Sequence, residues 1–245
     1  HVQIFDCIDA SLVYEDFTFR SGQAQIIVDH FHEVAEKIVG KYEIEHGELV
    51  VDIGSNDGTL LQGFKKQGMN VLGVDAVETI SKEAINAGIP TINDFLTSRL
   101  TQKINETHGK AKVVCCFNAF AHNDQLNDLA SSIRDLMAPD GIFIFEVQYL
   151  LDVVQKMLVG TIFHEHMSHH SLTPLKLFLE RAGFTIIKVS RVNIQHGSLI
   201  GIAMKTDNAK KADKSVDDLL ALEETEKLCL LSSMERFNDR LKMIR

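Results

Sequence analysis

The chain has 245 residues, a formal net charge of −9 and 45% hydrophobic residues, a composition that predicts a packed protein and argues against a nucleic-acid-binding surface. No apolar run is long enough to span a bilayer and no signal-peptide pattern begins the chain, so we expect a cytoplasmic protein that does not bind membranes. None of the four cysteines forms a C-x-x-C pair, which excludes a zinc knuckle and a disulfide framework.

Residues 1–45 are predicted to form an N-terminal segment and one helix. The first part of this segment has no sustained helical or strand period. Ser21 is a suitable helix cap, and the apolar positions that follow it predict a helix to about Lys41.

Residues 46–206 are predicted to form the central domain, because strand and helix patterns alternate along them. Such alternation is typical of a parallel sheet covered by helices on both faces. Residues 137–141 are predicted to form the turn before the fifth strand. The predicted strands are Leu49–Ile53, Asn70–Asp75, Pro90–Asn93, Val113–Asn118 and Ile142–Val147, and the helices between them are Thr59–Lys66, Glu78–Asn86 and Gln125–Met137.

The end of this domain has a different pattern. A helix begins near Pro174, and two further strands, Phe184–Val192 and Leu199–Lys205, are joined by a short connection. A connection of that length permits only an antiparallel pair. We therefore expect an α/β fold with a seven-stranded, mainly parallel sheet that is closed by a terminal antiparallel hairpin.

Residues 207–245 are predicted to form a C-terminal helical extension. After a polar, lysine-rich stretch, Val216–Ile244 has the period of one long helix or two. The apolar stripe of such a segment must be buried on the core, on a partner chain or on a domain outside this sequence.

The glycine turn after the first strand of the sheet is the most informative motif. A dinucleotide fingerprint needs glycine where this chain has Asn56, and a P-loop needs lysine after Gly58. Both an NAD site and a phosphate site are therefore disfavoured. Carboxylates at Asp52 and Asp57 suit a cationic ligand, such as the sulfonium of S-adenosylmethionine (SAM). The predicted cofactor-binding residues of this turn are Asp52, Gly54, Ser55, Asn56 and Gly58.

Further cofactor residues are expected after the later strands, because open α/β sheets bind ligands at the carboxyl ends of their strands. Asp75 ends the second strand and is expected to accept hydrogen bonds from ribose hydroxyls. Asp94 and Phe95 are expected to contact adenine, or alternatively to serve as a helix cap and a core aromatic. Asn118, after the fourth strand, completes the predicted set.

A histidine-rich loop lies between the fifth strand and the helix near Pro174. Four of the eleven histidines are within residues 163–170. Glu165 beside His166 is typical of a general-base assembly. Metal binding by His164, His166 and a third histidine is a second interpretation, and a structural histidine loop is a third. No metal is expected, because a loop does not guarantee that the rings converge.

Several motifs resemble, in the same order, the sugar C-methyltransferases that act on nucleotide-linked deoxysugars. The resemblance covers about residues 10 to 245 and implies a Rossmann-like class I methyltransferase fold with SAM as cofactor. The motifs that carry it are Val51–Gly58, Asn118–His122, Phe145–Leu150, His164–His166, Ser171–Leu175 and Gly197–Leu199.

The resemblance also implies a reaction and its residues. In that family a methyl group passes from SAM to carbon 3 of a dTDP-4-keto-6-deoxy sugar, after a histidine has removed the proton at that carbon to leave an enediolate. Carried over by motif, His166 is the base, Glu165 lies beside it and His122 lies near the enolate oxygen. A nucleotide sugar is then the expected substrate.

The chain departs from the family pattern at several positions. Phe163 replaces a tyrosine before the His-Glu-His run, Phe17 and Phe19 replace a pair that usually includes tyrosine, and His196 replaces a glycine. The family's cysteine-rich zinc module and its second nucleotide-fold domain are not expected within this sequence. Two alternatives stay open: an O- or N-methyltransferase for a related small molecule, and an inactive SAM-binding module that assembles through its C-terminal helix.

Overall fold

The computed structural model describes residues 2–3, 18–163 and 166–244. The strands are β1 (Val2–Gln3), β2 (Leu49–Ile53), β3 (Asn70–Asp75), β4 (Thr91–Asn93), β5 (Ala111–Phe117), β6 (Met137–Gln148), β7 (Ser168–His169), β8 (Phe184–Val192) and β9 (Ser198–Lys205). The helices are α1 (Gln25–Tyr42), α2 (Thr59–Lys66), α3 (Glu78–Asn86), α4 (Ser98–His108), α5 (Leu126–Leu136), α6 (Leu150–Lys156), α7 (Leu172–Arg181), α8 (Lys214–Thr225) and α9 (Leu231–Ile244).

The main sheet has seven strands in the order β4-β3-β2-β5-β6-β9-β8. β4, β3, β2, β5 and β6 are parallel, whereas β9 is antiparallel to both β6 and β8. This topology confirms the predicted Rossmann-like α/β fold with its terminal antiparallel pair. The strand order reverses between β2 and β5, and ligands of such sheets bind in the crevice at the carboxyl ends of those strands.

Both faces of the sheet are buried. Successive side chains of a strand point to opposite faces, so neighbouring residues of one strand pack into different layers. Cys115 and Cys116 are adjacent on β5 and belong to different hydrophobic clusters. Cys115 shares its cluster with Phe31 of α1, whereas Cys116 shares its cluster with Leu179 of α7. The sheet therefore separates an α1–α2 layer from a layer that contains α4, α5 and α7.

The segment before β6 differs from the prediction. The sequence predicts a turn over residues 137–141, but β6 begins at Met137. The pairing passes from Ala111–Met137 directly to Val113–Ile142, so residues 138–141 lie opposite Lys112 alone and interrupt the regular ladder. Pro139, which has no N–H to donate, is tolerated at such an irregularity.

The start of the first helix also differs. The sequence predicts a helix from Ser21, but Ser21–Gln23 forms a single 3-10 turn and α1 begins at Gln25. The backbone N–H of Ser21 donates to Asn56 Oδ1 at 2.9 Å. Ser21 is therefore tied to the glycine turn and does not cap α1.

Two short helices, α4 and α6, are absent from the sequence-based prediction. α4 is capped by the hydroxyl of Thr97, which accepts from the N–H of Leu100 at 3.2 Å, and its apolar stripe is narrow. α6 has seven residues, too few to show a helical period. Among the described helices, none combines the length and apolar character needed to cross a membrane.

The C-terminal segment forms two helices. Lys227 adopts a left-handed conformation with φ of 55° in the connection between α8 and α9. α8 lies against β8 and α7 and buries Val216 and Leu219, and α9 contacts α6. The apolar stripe of α8 is thus buried on the core of this chain.

Close packing of β9 on β6 gives a first prediction. Gly201 of β9 lies opposite Phe145 of β6, and a Cβ at Gly201 would lie 2.0 Å from Phe145 Cζ. We expect Gly201→Ala to lower the free energy of unfolding, measured in urea, by about 1–3 kcal/mol. The control is Gly40→Ala in α1, where an added Cβ would meet no described atom within 4 Å. This substitution should raise the free energy of unfolding by about 0.5–1 kcal/mol, because glycine is less favourable than alanine inside a helix. Equal urea midpoints for Gly201→Ala and the parent would contradict the packing.

Candidate active site

The glycine turn joins β2 to α2 through residues with positive φ. Gly54, Asn56 and Gly58 have φ of 71°, 50° and 79°. A Cβ at Gly54 would lie 2.9 Å from the Cβ of Ala119, so this position requires glycine for space as well as conformation. The N–H of Gly54 donates to the carbonyl of Val74 at 2.8 Å. The turn is therefore folded back against the end of β3.

Asp75, the last residue of β3, fixes the turn from the other side. Its Oδ2 accepts from the N–H of Asn56 at 2.8 Å and its Oδ1 from the N–H of Val77 at 2.9 Å. Burial raises the pKa of Asp75, and these two hydrogen bonds oppose that rise. A carboxylate oxygen has two acceptor positions, so each oxygen retains capacity for a hydroxyl donor.

Asp52, near the end of β2, is a second buried carboxylate. Its Oδ1 has no hydrogen-bond partner among the described residues. Burial, together with the nearby charge of Asp75, raises the pKa of Asp52 to about 8. A buried acceptor without a donor costs free energy, and a cationic ligand beside it would offset that cost. These two carboxylates therefore fit a cofactor that carries a positive charge and hydroxyl groups.

The remaining polar groups of the turn have different surroundings. Asn56 Oδ1 accepts from Ser21 N, and Asn56 Nδ2 donates to the carbonyl of Phe19 at 3.1 Å. Asp57 Oδ2 accepts from the N–H of Gly22 at 2.8 Å. These side chains hold the segment before α1, and the expectation that the Asp57 carboxylate suits a cationic ligand stays a prediction. Among the described residues, the buried Oγ of Ser55 has no partner.

Asp94, Phe95 and Asn118 lie at the carboxyl ends of β4 and β5. Asp94 Oδ1 accepts from the N–H of Phe95 at 2.8 Å, and both residues are exposed. Asn118 has φ of 55° and donates its N–H to the carbonyl of Glu146 at 2.8 Å. All three residues thus lie at the carboxyl-terminal edge of the sheet, and their roles toward a cofactor stay predictions.

The structure brings together two predicted catalytic histidines. His122 ends the 3-10 turn that follows β5, and its ring centroid lies 4.9 Å from that of His166 in an edge-to-face arrangement. Phe163 lies on another side of His166, with ring centroids 4.1 Å apart. His164 and Glu165 lie outside the described residues, so the predicted contact between Glu165 and His166 stays a prediction.

The orientation of His166 selects its tautomer. His166 Nδ1 lies 3.0 Å from the carbonyl oxygen of Thr161. A carbonyl only accepts, so Nδ1 carries the hydrogen, and the lone pair of the neutral ring is on Nε2. A general base needs an oriented ring, and in the neutral form of His166 Nε2 is the atom that would take the proton.

His169 and His170 have a different character. Both are buried, and burial lowers the pKa of each to about 4, so both rings are neutral at physiological pH. Nε2 of His170 lies 2.9 Å from the hydroxyl of Ser168. Within the described ranges, no group of three or more His, Cys, Asp or Glu side chains is arranged to hold a metal ion.

The His30–Glu146 contact was not anticipated from the sequence. His30 Nε2 lies 2.6 Å from Glu146 Oε2, and the Glu146 side chain is fully buried. Oε1 of Glu146 has no partner among the described residues. Glu146 lies inside an apolar strand, so the sequence shows that its carboxyl group needs a partner. The sequence does not identify His30 as that partner, because the helical period places His30 on a polar face of α1.

Comparisons with known proteins agree with this geometry. Residues 24–189 match the family model described as Methyltransferase domain. C-methyltransferase NovU of Streptomyces niveus is 28% identical over 238 residues, which are 97% of this chain and 57% of the relative. Ubiquinone biosynthesis O-methyltransferase of Actinobacillus pleuropneumoniae serotype 7 (strain AP76) is 25% identical over 125 residues, 46% of this chain and 52% of that protein. The chain thus spans little more than half the length of either relative.

Solved structures are similar in fold. Magnesium protoporphyrin IX methyltransferase (ChlM) of Synechocystis PCC 6803, solved with bound SAH, superposes with a TM-score of 0.56 at 21% identity, over 79% of this chain and 91% of that chain. An S-adenosylmethionine-dependent methyltransferase of Clostridium acetobutylicum ATCC 824 superposes with a TM-score of 0.58 at 10% identity, over 72% and 91%. At these identities the superpositions show the fold alone.

The raised pKa of Asp52 gives a second prediction. The pKa rises from an ordinary 3.8 to about 8 on folding, so the folded state holds the proton more tightly, and stability falls as the pH rises between these values. We expect the free energy of unfolding of Asp52→Asn, minus that of the parent, to increase as the pH rises over that interval, by up to about 1.4 kcal/mol per pH unit. Above about pH 8 the difference should be constant.

Urea denaturation of both proteins at several pH values measures this difference. Asp128→Asn, at an exposed position of α5, is the control and should follow the parent. A difference between Asp52→Asn and the parent that does not vary with pH would show that Asp52 ionises normally in the folded state.

Proposed function

The chain belongs to the methyltransferase domain family, and from that premise we propose that it transfers a methyl group from SAM to a carbon atom of a nucleotide-linked sugar. SAM supplies an electrophilic methyl group on a positively charged sulfur. The observation that carries the proposal is the His166 ring, oriented by the Thr161 carbonyl and placed beside His122, at the same end of the sheet as the two buried carboxyl groups.

Asp52 and Asp75 are proposed to bind the cofactor. The raised pKa of about 8 keeps Asp52 protonated near neutral pH in the free protein, and a cationic ligand would favour its ionised form and so bind with release of that proton. Asp75 retains acceptor capacity for ribose hydroxyls. Asp94 and Phe95, exposed after β4, are proposed to contact the adenine. The left-handed turn at Gly54 and Gly58 permits close approach of the backbone to that cofactor.

His166 is proposed as the general base. A carbon beside a ketone is a weak acid, so its proton must be removed before the carbon can accept a methyl group. Nε2 of His166 takes this proton, while the carbonyl of Thr161 holds Nδ1–H and stabilises the imidazolium that forms. The carbon–methyl bond then forms as the sulfur–methyl bond breaks, and the sulfur leaves as a neutral thioether. His122, adjacent to His166, is proposed to contact the substrate oxygen on which charge develops.

The choice of carbon and of a sugar rests on similarity along the chain. C-methyltransferase NovU matches over 97% of these residues at 28% identity, and that match spans the histidine loop as well as the glycine turn. The resemblance to sugar C-methyltransferases in the His-Glu-His motif supports a nucleotide sugar as acceptor.

Phe163 favours one alternative, an oxygen acceptor. The ring of Phe163 contacts the ring of His166 and brings no hydroxyl to the base, where the related sugar enzymes usually have tyrosine. A hydroxyl acceptor needs only that the same base removes a more acidic proton. Proton exchange at the acceptor carbon therefore distinguishes the two reactions, because it is expected for methylation at carbon and not for methylation at oxygen.

Cofactor binding gives a third prediction. Asp75→Ala leaves a bound ribose without its acceptor and releases the N–H of Asn56 from the turn. We expect SAM affinity, measured by calorimetry, to fall by roughly 1–3 kcal/mol. Asp75→Asn, which keeps one acceptor oxygen, should lose less. Asp128→Ala on the surface of α5 is the control, and parent-like binding by Asp75→Ala would rule out this cofactor site.

The base gives a fourth prediction. His166→Ala and His166→Asn should each lower methyl transfer by about 10²–10⁴-fold, while SAM affinity stays unchanged. His108→Ala, at the C-terminal end of α4, is the control. The measurements are single-turnover transfer from labelled SAM to a panel of nucleotide sugars and calorimetry with SAM.

Solvent deuterium exchange at the acceptor carbon, followed by NMR without SAM, separates proton removal from methyl transfer. The parent should exchange and His166→Ala should not. Exchange that persists in His166→Ala assigns the base to another residue. Methyl transfer by a parent protein that never exchanges the carbon proton would favour the oxygen acceptor.

A further inference from the structure

Glu223 on α8 is a buried carboxylate with an unusually complete set of donors. Its Oε1 accepts from the Tyr149 hydroxyl at 2.8 Å and from the N–H of Leu172 at 2.5 Å. Its Oε2 accepts from the N–H of Thr173 at 2.8 Å and from the Thr173 hydroxyl at 2.6 Å. The residue is 1% exposed, so these contacts replace water entirely.

Two of the three donor residues, Leu172 and Thr173, belong to the first turn of α7. The first N–H groups of a helix have no partner inside it, and a negative charge there is favourable. Ser171, at the N-cap position, makes no side-chain cap hydrogen bond. Glu223 therefore caps α7 from another helix, about 50 residues later in the chain.

The third donor lies at the opposite end of the histidine loop. Tyr149 follows β6, and its pKa is raised by burial, so its hydroxyl keeps the proton that it donates to Glu223. Tyr149 also forms a β-bridge with His170, and the N–H of Leu150 donates to the carbonyl of His170 at 2.8 Å. One carboxylate thus contacts the residues that precede and follow the segment containing His166.

An ion pair holds the same end of the loop. The guanidinium of Arg191 on β8 binds both oxygens of Asp152 on α6 at 2.8–2.9 Å, and it lies 5.7 Å from the centre of the Tyr149 ring. Asp152 is fully buried. Tyr149 is therefore held by contacts at both its ring and its hydroxyl, and Glu223 accepts a hydrogen bond from a side chain whose position is fixed.

We propose that Glu223 is a positioning residue for His166 and His122, and that through this one side chain α8 supports the histidine loop. This inference rests on the proposed function. Glu223 acts through α7 and Tyr149, which fix the two ends of the loop and so fix the carbonyl of Thr161 and the ring of His166 relative to His122. The C-terminal segment then belongs to the active site of its own chain and is not primarily an assembly element.

The test compares Glu223→Ala and Glu223→Gln with a destabilised control on the same helix. Val216→Ala removes buried packing from α8 but leaves Glu223 and its donors in place. We expect Glu223→Ala to lower kcat by about 10²-fold, the cost of misplacing catalytic groups, with SAM affinity unchanged. Glu223→Gln keeps one acceptor oxygen and should recover part of the loss. Val216→Ala should lose thermal stability without losing kcat.

Imidazole NMR supplies a readout that does not depend on turnover. The ¹⁵N signals of His166 and His170 should shift in Glu223→Ala and stay parent-like in Val216→Ala. If Glu223→Ala does not fold, Tyr149→Phe and Thr173→Val each remove one side-chain donor and should show smaller changes of the same kind.

The outcomes separate the two proposals. An equal loss of kcat in Val216→Ala and Glu223→Ala, at a temperature where both are folded, would overturn the positioning role, as would an unchanged kcat in Glu223→Ala. If the parent transfers no methyl group to any acceptor, the proposed function fails, and the imidazole signals alone then decide whether Glu223 positions the loop.

Discussion

A backbone hydrogen bond from Asn56 to the Asp75 carboxylate holds the glycine turn against the end of β3, and the cofactor half of the site depends on it. Asn56 is left-handed in this turn, and its side chain contacts the segment before α1. The same arrangement buries Asp75 near Asp52 and raises the pKa of both carboxyl groups. The fold thus carries an electrostatic cost at this edge, and a cationic ligand would offset it.

The acceptor half of the site is held by contacts of a different kind. His166 is oriented by the carbonyl of Thr161 and by the rings of His122 and Phe163. The loop that carries it is attached at both ends to Glu223 on α8. Burial keeps the neighbouring His169 and His170 neutral, so these two rings add no positive charge where the proposed cationic cofactor would bind. The two halves thus differ in their electrostatics, with two buried acidic side chains in one and two neutral imidazole rings in the other.

Local patterns in the sequence predict most of the sheet and the position of the cofactor turn. The glycine turn and the strands beside it are encoded by residue types within a short stretch, and the topology confirms them. Contacts between distant segments are not encoded in this way. His30 and Glu146 are 116 positions apart. Glu223 shares the helix face of the buried Val216 and Leu219, but this spacing does not identify its partners in other segments. The sequence predicts a turn at residues 137–141, and the structure places them at the start of β6, where the pairing with β5 is irregular.

A crystal structure of the chain with S-adenosylhomocysteine tests the central claim, that one crevice joins the carboxylate turn to the histidine pair. We expect one S-adenosylhomocysteine molecule per chain, with its ribose hydroxyls bound to Asp75. Its amino acid portion should lie near Asp52 and its sulfur should be directed toward His122 and His166. Binding at another edge of the sheet, or a sulfur directed away from both histidines, would contradict it.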